Sequence, residues 1–295
     1  NTIDFNGVEA IIFRSKFPKD DLSRKKMYSE LLRSIKFPLL VHHLSVKNSY
    51  LQYEEDNINE NPAGKLIFSD FNLKVQNLNS NKGFQKTFVP ISIQCKFMKT
   101  SPMNVNWSFD TARKDDFFKI SGNISNLPAE NINLFVQPYL NITVQGEIRQ
   151  LNFNYSGNNT HIFGDMNMTH KDLKVSILDK ETKQKKKFLS ALVNLFVKSN
   201  SKKFPESVEV DAERDKTKSF FKFCNFYIHI IISLSVPIAV SEVCLLPTSS
   251  FISSYCFSVT QRRRTFPSSG RLFLILFSIL LANSLLGQTL TYIEY

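Results

Sequence analysis

Cysteine is scarce in this chain of 295 residues. Cys95, Cys224, Cys244 and Cys256 are all there are, and no two stand at metal-site or redox-pair spacing. A disulfide scaffold and a cysteine zinc site are therefore excluded. There is no Gly-rich phosphate loop and no G-x-S-x-G elbow, so the signatures of phosphate-loop nucleotide binding and of α/β-hydrolase chemistry are missing. Histidine offers little more. His42 and His43 are adjacent and would face opposite sides of a strand, while His161 and His170 flank a strand with nothing nearby to complete a metal set. Each is read as a surface histidine. Without a nucleophile–base pair, paired acids in a pocket or a ligand cluster, the chain reads as a non-enzyme with no cofactor.

Lysine and aspartate also run out along the chain. Residues 1–222 hold all 27 lysines and six arginines, whereas residues 223–295 hold no lysine, no aspartate and four arginines. This break marks a boundary. Residues 224–261 are apolar and Ser-rich. In 262–295, Arg262, Arg263, Arg264 and Arg271 precede the apolar run Leu272–Leu281 and the small residues Ala282, Ser284 and Gly287. That is the pattern of a secretory signal peptide placed at the wrong end, and it is short for a transmembrane helix, which needs about 20 apolar residues. Out-of-frame or read-through translation is one expectation for this tail; a short C-terminal membrane hairpin is the other. The chain starts at Asn1 inside an alternating segment, so the natural start is expected upstream.

The net charge of +11 invites a nucleic-acid reading. However, the lysines are spread among Asn, Ser and Asp on the polar phase of alternating segments, and no recognised nucleic-acid motif accompanies them. A solvated face is expected and nucleic acid is not. Only Lys180–Lys187 forms a cluster. There Lys185, Lys186 and Lys187 lead directly into Phe188, Leu192 and Phe196, a pattern that suits an anionic lipid surface or a helix plugging one end of a sheet.

What the sequence has in abundance is period-two alternation. Met103, Val105, Trp107 and Phe109 alternate with Asn104, Asn106, Ser108 and Asp110, so one face of the strand is apolar and the other wet. The same pattern predicts strands at His43–Tyr53, Lys65–Leu78, Val89–Met98, Met103–Thr111, Phe117–Ser125, Ile142–Tyr155, Thr160–Thr169, Leu173–Leu178 and Ser207–Glu213, after alternation at Ile3–Phe5. A phase slip between Phe68 and Phe71 predicts a bulge, and Gly157-Asn158-Asn159 predicts a hairpin turn. Short helices are expected at Lys26–Ser34, Ala129–Leu140 and Phe188–Val197. The fold class is mostly β: a long curled antiparallel sheet with one or two short helices. About ten strands at ~4.8 Å spacing make a sheet roughly 45 Å across. Two short helices cannot cover it, so it must pack as a sandwich, close as a barrel or curl into a groove. Periodicity does not choose among these.

The run Phe118-Lys-Ile-Ser-Gly-Asn-Ile-Ser-Asn-Leu, then Leu140-Asn-Ile, Gly146-Glu-Ile-Arg-Gln-Leu-Asn-Phe, Gly164-Asp-Met-Asn-Met and Asp172-Leu-Lys-Val-Ser-Ile-Leu, resembles AsmA-like proteins of the Bacteroidetes type. Glu213-Arg-Asp-Lys-Thr-Lys-Ser-Phe-Phe resembles the C-terminal signature of that family, and Tyr50-Leu-Gln-Tyr-Glu-Glu and Gly64-Lys-Leu-Ile-Phe also fit it. The resemblance covers residues 1–223. It implies a periplasmic β-groove domain, the C-terminal part of a longer envelope protein held in the inner membrane by an N-terminal helix that lies outside this sequence. It further implies a link to phospholipid transfer and outer-membrane biogenesis, with membrane and acyl chains as partners and envelope proteins as possible others. On that reading, Ile91, Ile93, Phe97, Val105, Trp107, Phe109, Phe118, Ile120, Ile124, Ile142, Val144, Ile148, Leu151, Phe153, Met166, Met168, Leu173, Val175 and Ile177 line the concave face and contact acyl chains. Two rivals stand beside it: an envelope scaffold with a closed β core, and a secreted adhesion sandwich.

Overall fold

The structure, a computed structural model, describes residues 1–14, 23–55, 62–178 and 206–217. The helix expected at Phe188–Val197 and the whole tail after residue 223 lie outside these. The described chain is mostly strand and forms one open, curled sheet of ten strands with two short helices. The groove is therefore the architecture, in place of the sandwich and the barrel.

The strands are β1 (Thr2–Asn6), β2 (Glu9–Arg14), β3 (Leu40–Glu55), β4 (Gly64–Asn79), β5 (Phe88–Phe97), β6 (Ser101–Asp110), β7 (Phe118–Pro128), β8 (Ile142–Gly157), β9 (His161–Ile177) and β10 (Glu206–Glu213). From β3 to β10 they form an antiparallel meander in chain order. The N-terminal edge differs. Both β1 and β2 pair with β3 in parallel, at Thr2–Asn6 against His43–Lys47 and at Glu9–Arg14 against Tyr50–Glu55. A parallel neighbour cannot be reached by a hairpin, so a longer crossover returns the chain to the start of β3. That crossover carries α1 (Tyr28–Ser34), with Glu30 in its first turn and Arg33 in its last, the signs that complement the helix dipole.

Two strands expected from the sequence, Thr160–Thr169 and Leu173–Leu178, are one continuous strand, β9. The apolar phase slips by one residue between His170 and Leu173, and a bulge absorbs the slip without ending the strand: Asp172 has φ +51° and Gly146 opposite it has φ +106°. The bulge expected near Phe68–Phe71 is present, with Asp70 at φ +49°. Asn48, Asn77 and Asn126 make similar left-handed steps inside strands. Asn and Asp tolerate that conformation better than other residues with side chains, and the register shifts at Asn48, Asp70 and Asp172 add local twist and bend. The Asn and Asp richness of the strands thus feeds directly into the curl of the sheet.

Candidate functional site: the concave face

Cross-strand register builds this face row by row. Ile3, Leu44, Val75, Ile91, Trp107, Ile120, Tyr155, Gly164 and Val210 are successive partners across nine strands. The neighbouring row runs Phe5, Val46, Leu73, Ile93, Val105, Gly122, Phe153, Met166. Neither contains a charged side chain, and their side-chain polar atoms are confined to the Trp107 indole N–H and the Tyr155 hydroxyl. Because side chains two apart share a face, strict alternation in each strand carries both rows without interruption.

The nineteen residues predicted to line the groove all lie on this face. Sixteen are buried; Ile93, Phe97 and Ile177 are half-buried and packed on the same cluster. The sequence reading stopped at Ile91 on one side. The face continues through Val75, Leu73, Val46, Leu44, Phe5 and Ile3 to the N-terminal edge, and it includes Tyr155 and Ile162. The alternation of β3 and β4 carried the signal for that extension. Lys185, Lys186, Lys187, Phe188, Leu192 and Phe196, the predicted membrane-surface residues, lie outside the described residues.

Each rim of the curl is stoppered by a helix. At one rim, Tyr28 of α1 meets Trp107 edge-to-face, with ring centroids 4.7 Å apart at 77°. Polar contacts hold α1 there. Ser29 Oγ donates to Asp116 Oδ1 at 2.7 Å, and the Arg33 guanidinium bonds the same carboxylate at 2.5 Å and the Arg113 carbonyl at 2.8 Å. Just before α1, Lys25 receives the far end of the sheet: Arg214 donates to the Lys25 carbonyl at 2.6 Å, and Lys25 N–H donates to the Lys216 carbonyl at 2.8 Å. The segment leading into α1 therefore ties to the chain beyond β10.

At the other rim a 3-10 turn (Ala129–Ile132) leads into α2 (Asn133–Leu140). Asn133 brackets β8, donating to the Val144 carbonyl at 3.0 Å and accepting from Val144 N–H at 2.7 Å. Asn141, left-handed at φ +54°, ends the helix and donates its N–H back to the Gln137 carbonyl. Phe135 sits buried against Gly64, and its ring centroid is 6.4 Å from that of Tyr53.

Polar groups on the face are few. His170, read from sequence as a surface residue, is 3% exposed and stands opposite Ile148. Its place on the apolar phase of β9, just before the bulge, turns it inward. His42, His43 and His161 are exposed, as expected. Glu55 is buried and accepts from the Tyr53 hydroxyl at 2.8 Å. Burial pushes the Cys95 thiol up to about 12, so it is no nucleophile at neutral pH. Among the described residues no three His, Cys, Asp or Glu side chains are grouped to hold a metal ion, and no helix is long and apolar enough to cross a membrane. What this arrangement offers chemically is continuous apolar contact along a curved wall.

Comparison with protein-family models, with curated proteins and with solved structures finds no match for the chain.

Proposed function

We propose that the chain is an AsmA-like domain of the cell envelope whose concave face takes up phospholipid acyl chains and supports lipid transfer between membranes and outer-membrane biogenesis. The observation that carries this reading is the pair of unbroken apolar rows, one crossing nine strands, in a sheet that no second sheet covers among the described residues. Exposing a methylene to water costs about 0.8 kcal/mol, so a 16-carbon chain faces a barrier of roughly 12 kcal/mol that such a wall lowers. No catalytic step is involved. The domain works on the periplasmic side, attached to the inner membrane.

A second reading, an envelope scaffold with a closed core, is favoured by one observation: sixteen of the nineteen lining residues are already buried without a lipid. Lipid entry then requires the curl to open. A crosslinking scan separates the two. Photoreactive residues at Val105 and Phe153 on the concave face are expected to capture phospholipid, and those at Asn106 and Asn154 on the convex face are not. Equal capture on both faces rejects the lipid groove, and capture on neither favours the scaffold.

A further inference from the structure

The rim that carries α1 also carries a cationic, aromatic corner beside β1. Phe37 and Phe88 are 53% and 54% exposed, a large exposure for phenylalanine. Phe84 is half-buried and lines an apolar hollow of about 480 Å³ together with Ile3, Pro38, Leu39 and Val41. Lys36, Lys82 and Lys86 alternate with these rings and are exposed, and no acidic residue occurs in 35–41 or 79–89. The nearest carboxylate in register is Asp110, opposite Phe88, and it accepts from Ala112 N–H at 2.8 Å.

The corner is held in shape. Ser80 Oγ donates to the Phe37 carbonyl at 3.1 Å and accepts from Leu39 N–H at 2.9 Å, which clamps the two loops together. Asn79 donates to the Lys86 carbonyl at 3.3 Å, and Thr111 N–H donates to the Thr87 carbonyl at 3.0 Å, fixing the second loop to β6. The three rings and three ammonium groups are thus displayed on one rim by backbone that is already hydrogen-bonded.

We infer that this corner docks on an anionic phospholipid surface, with the phenylalanines entering the headgroup–acyl boundary and the lysines facing lipid phosphates. Exposed rings without hydrogen-bonding groups favour the apolar boundary, and unopposed lysines supply the attraction to negative charge. Binding here does not depend on what the concave face holds, so it stands or falls separately from lipid transfer.

The test is co-sedimentation of the full chain with vesicles of phosphatidylcholine mixed with phosphatidylglycerol, and of phosphatidylcholine alone. The chain is expected to bind the mixed vesicles and to be released by salt. At roughly fivefold per lysine near an anionic surface, Lys36→Gln/Lys82→Gln/Lys86→Gln is expected to lower partitioning roughly a hundredfold. Phe37→Ser/Phe88→Ser is expected to weaken it as well, with the thermal melt of each variant unchanged because the substituted side chains are exposed. Lys185→Gln/Lys186→Gln/Lys187→Gln serves as the comparison. If binding is absent, if both rim variants bind like the parent, or if only the comparison variant loses binding, the inference is overturned.

Discussion

The ring of Phe153 covers Gly122 on the adjacent strand: a Cβ built on Gly122 would stand 2.5 Å from Phe153 Cζ and 2.5 Å from the Asn104 carbonyl oxygen. Gly157 is covered in the same way by Phe118, whose Cζ would lie 2.7 Å from an added Cβ. Glycines at these points leave room for large rings to lie flat along the concave wall. The wall is close-packed because small and large residues alternate between neighbouring strands.

Gly122→Ala is therefore expected to destabilise the domain by about 1–3 kcal/mol through overpacking. Adding Phe153→Leu should recover part of the loss and not all of it, since the Asn104 carbonyl stays in place. Urea midpoints of the parent, the single variants and the double variant measure this. A double variant no more stable than Gly122→Ala alone would show that the ring is not the crowding group.

Trp107 is the only tryptophan in the chain and is 7% exposed on the central row. Its emission is expected to be blue-shifted and weakly quenched by acrylamide. Under the lipid-transfer reading, phospholipids brominated on their acyl chains quench it, whereas lipids brominated at the headgroup do not. Buried emission with no quenching by either supports the closed-core reading instead. Trp107→Ala removes the contact with Tyr28 and is expected to cost about 3–5 kcal/mol.

Asp116 is buried and receives both Ser29 and Arg33 of α1. Asp116→Asn leaves the Arg33 charge without its main counter-ion at a site only partly open to water, and a loss of about 3 kcal/mol is expected. Replacing both partners with apolar residues, Arg33→Met with Asp116→Leu, should cost less than Asp116→Asn, because no unpaired charge remains. Thermal denaturation of the three proteins checks the order.

Cys95 gives a pH signature. Its thiol rises from 9.0 to about 12 on folding because burial disfavours the thiolate. A raised pKa stabilises the folded state below pH 9, and that contribution is lost as pH climbs from about 9 toward about 12. Peptide-level mass spectrometry at pH 8 is expected to find Cys95 unalkylated by iodoacetamide until the domain unfolds. Cys95→Ser should lessen the alkaline loss of stability.

Much of the fold was legible locally. Alternation at Met103–Phe109 or Phe118–Ile124 gives a strand and its inner face without any knowledge of neighbours, because side-chain direction follows the backbone period. The turn at Gly157-Asn158-Asn159 was equally plain: Asn158 accepts from the Thr160 N–H and hydroxyl and from His161 N–H. His170 was misread because its position in an apolar phase weighs more than its polarity. The break proposed between Thr169 and Leu173 was a bulge, since a slip of phase looks the same in sequence whether the strand ends or kinks.

Period-two alternation, a property of neighbouring residues along one chain, was enough to place most of the strands and the apolar face of each, though β2 was not among the strands it predicted. The three-dimensional fold was needed to show that β1 and β2 run parallel to β3, that α1 sits at the rim against Asp116, and that Lys25 meets Arg214. Those are contacts between residues far apart in the chain, settled by the curl of the whole sheet, and local periodicity carries no term for them.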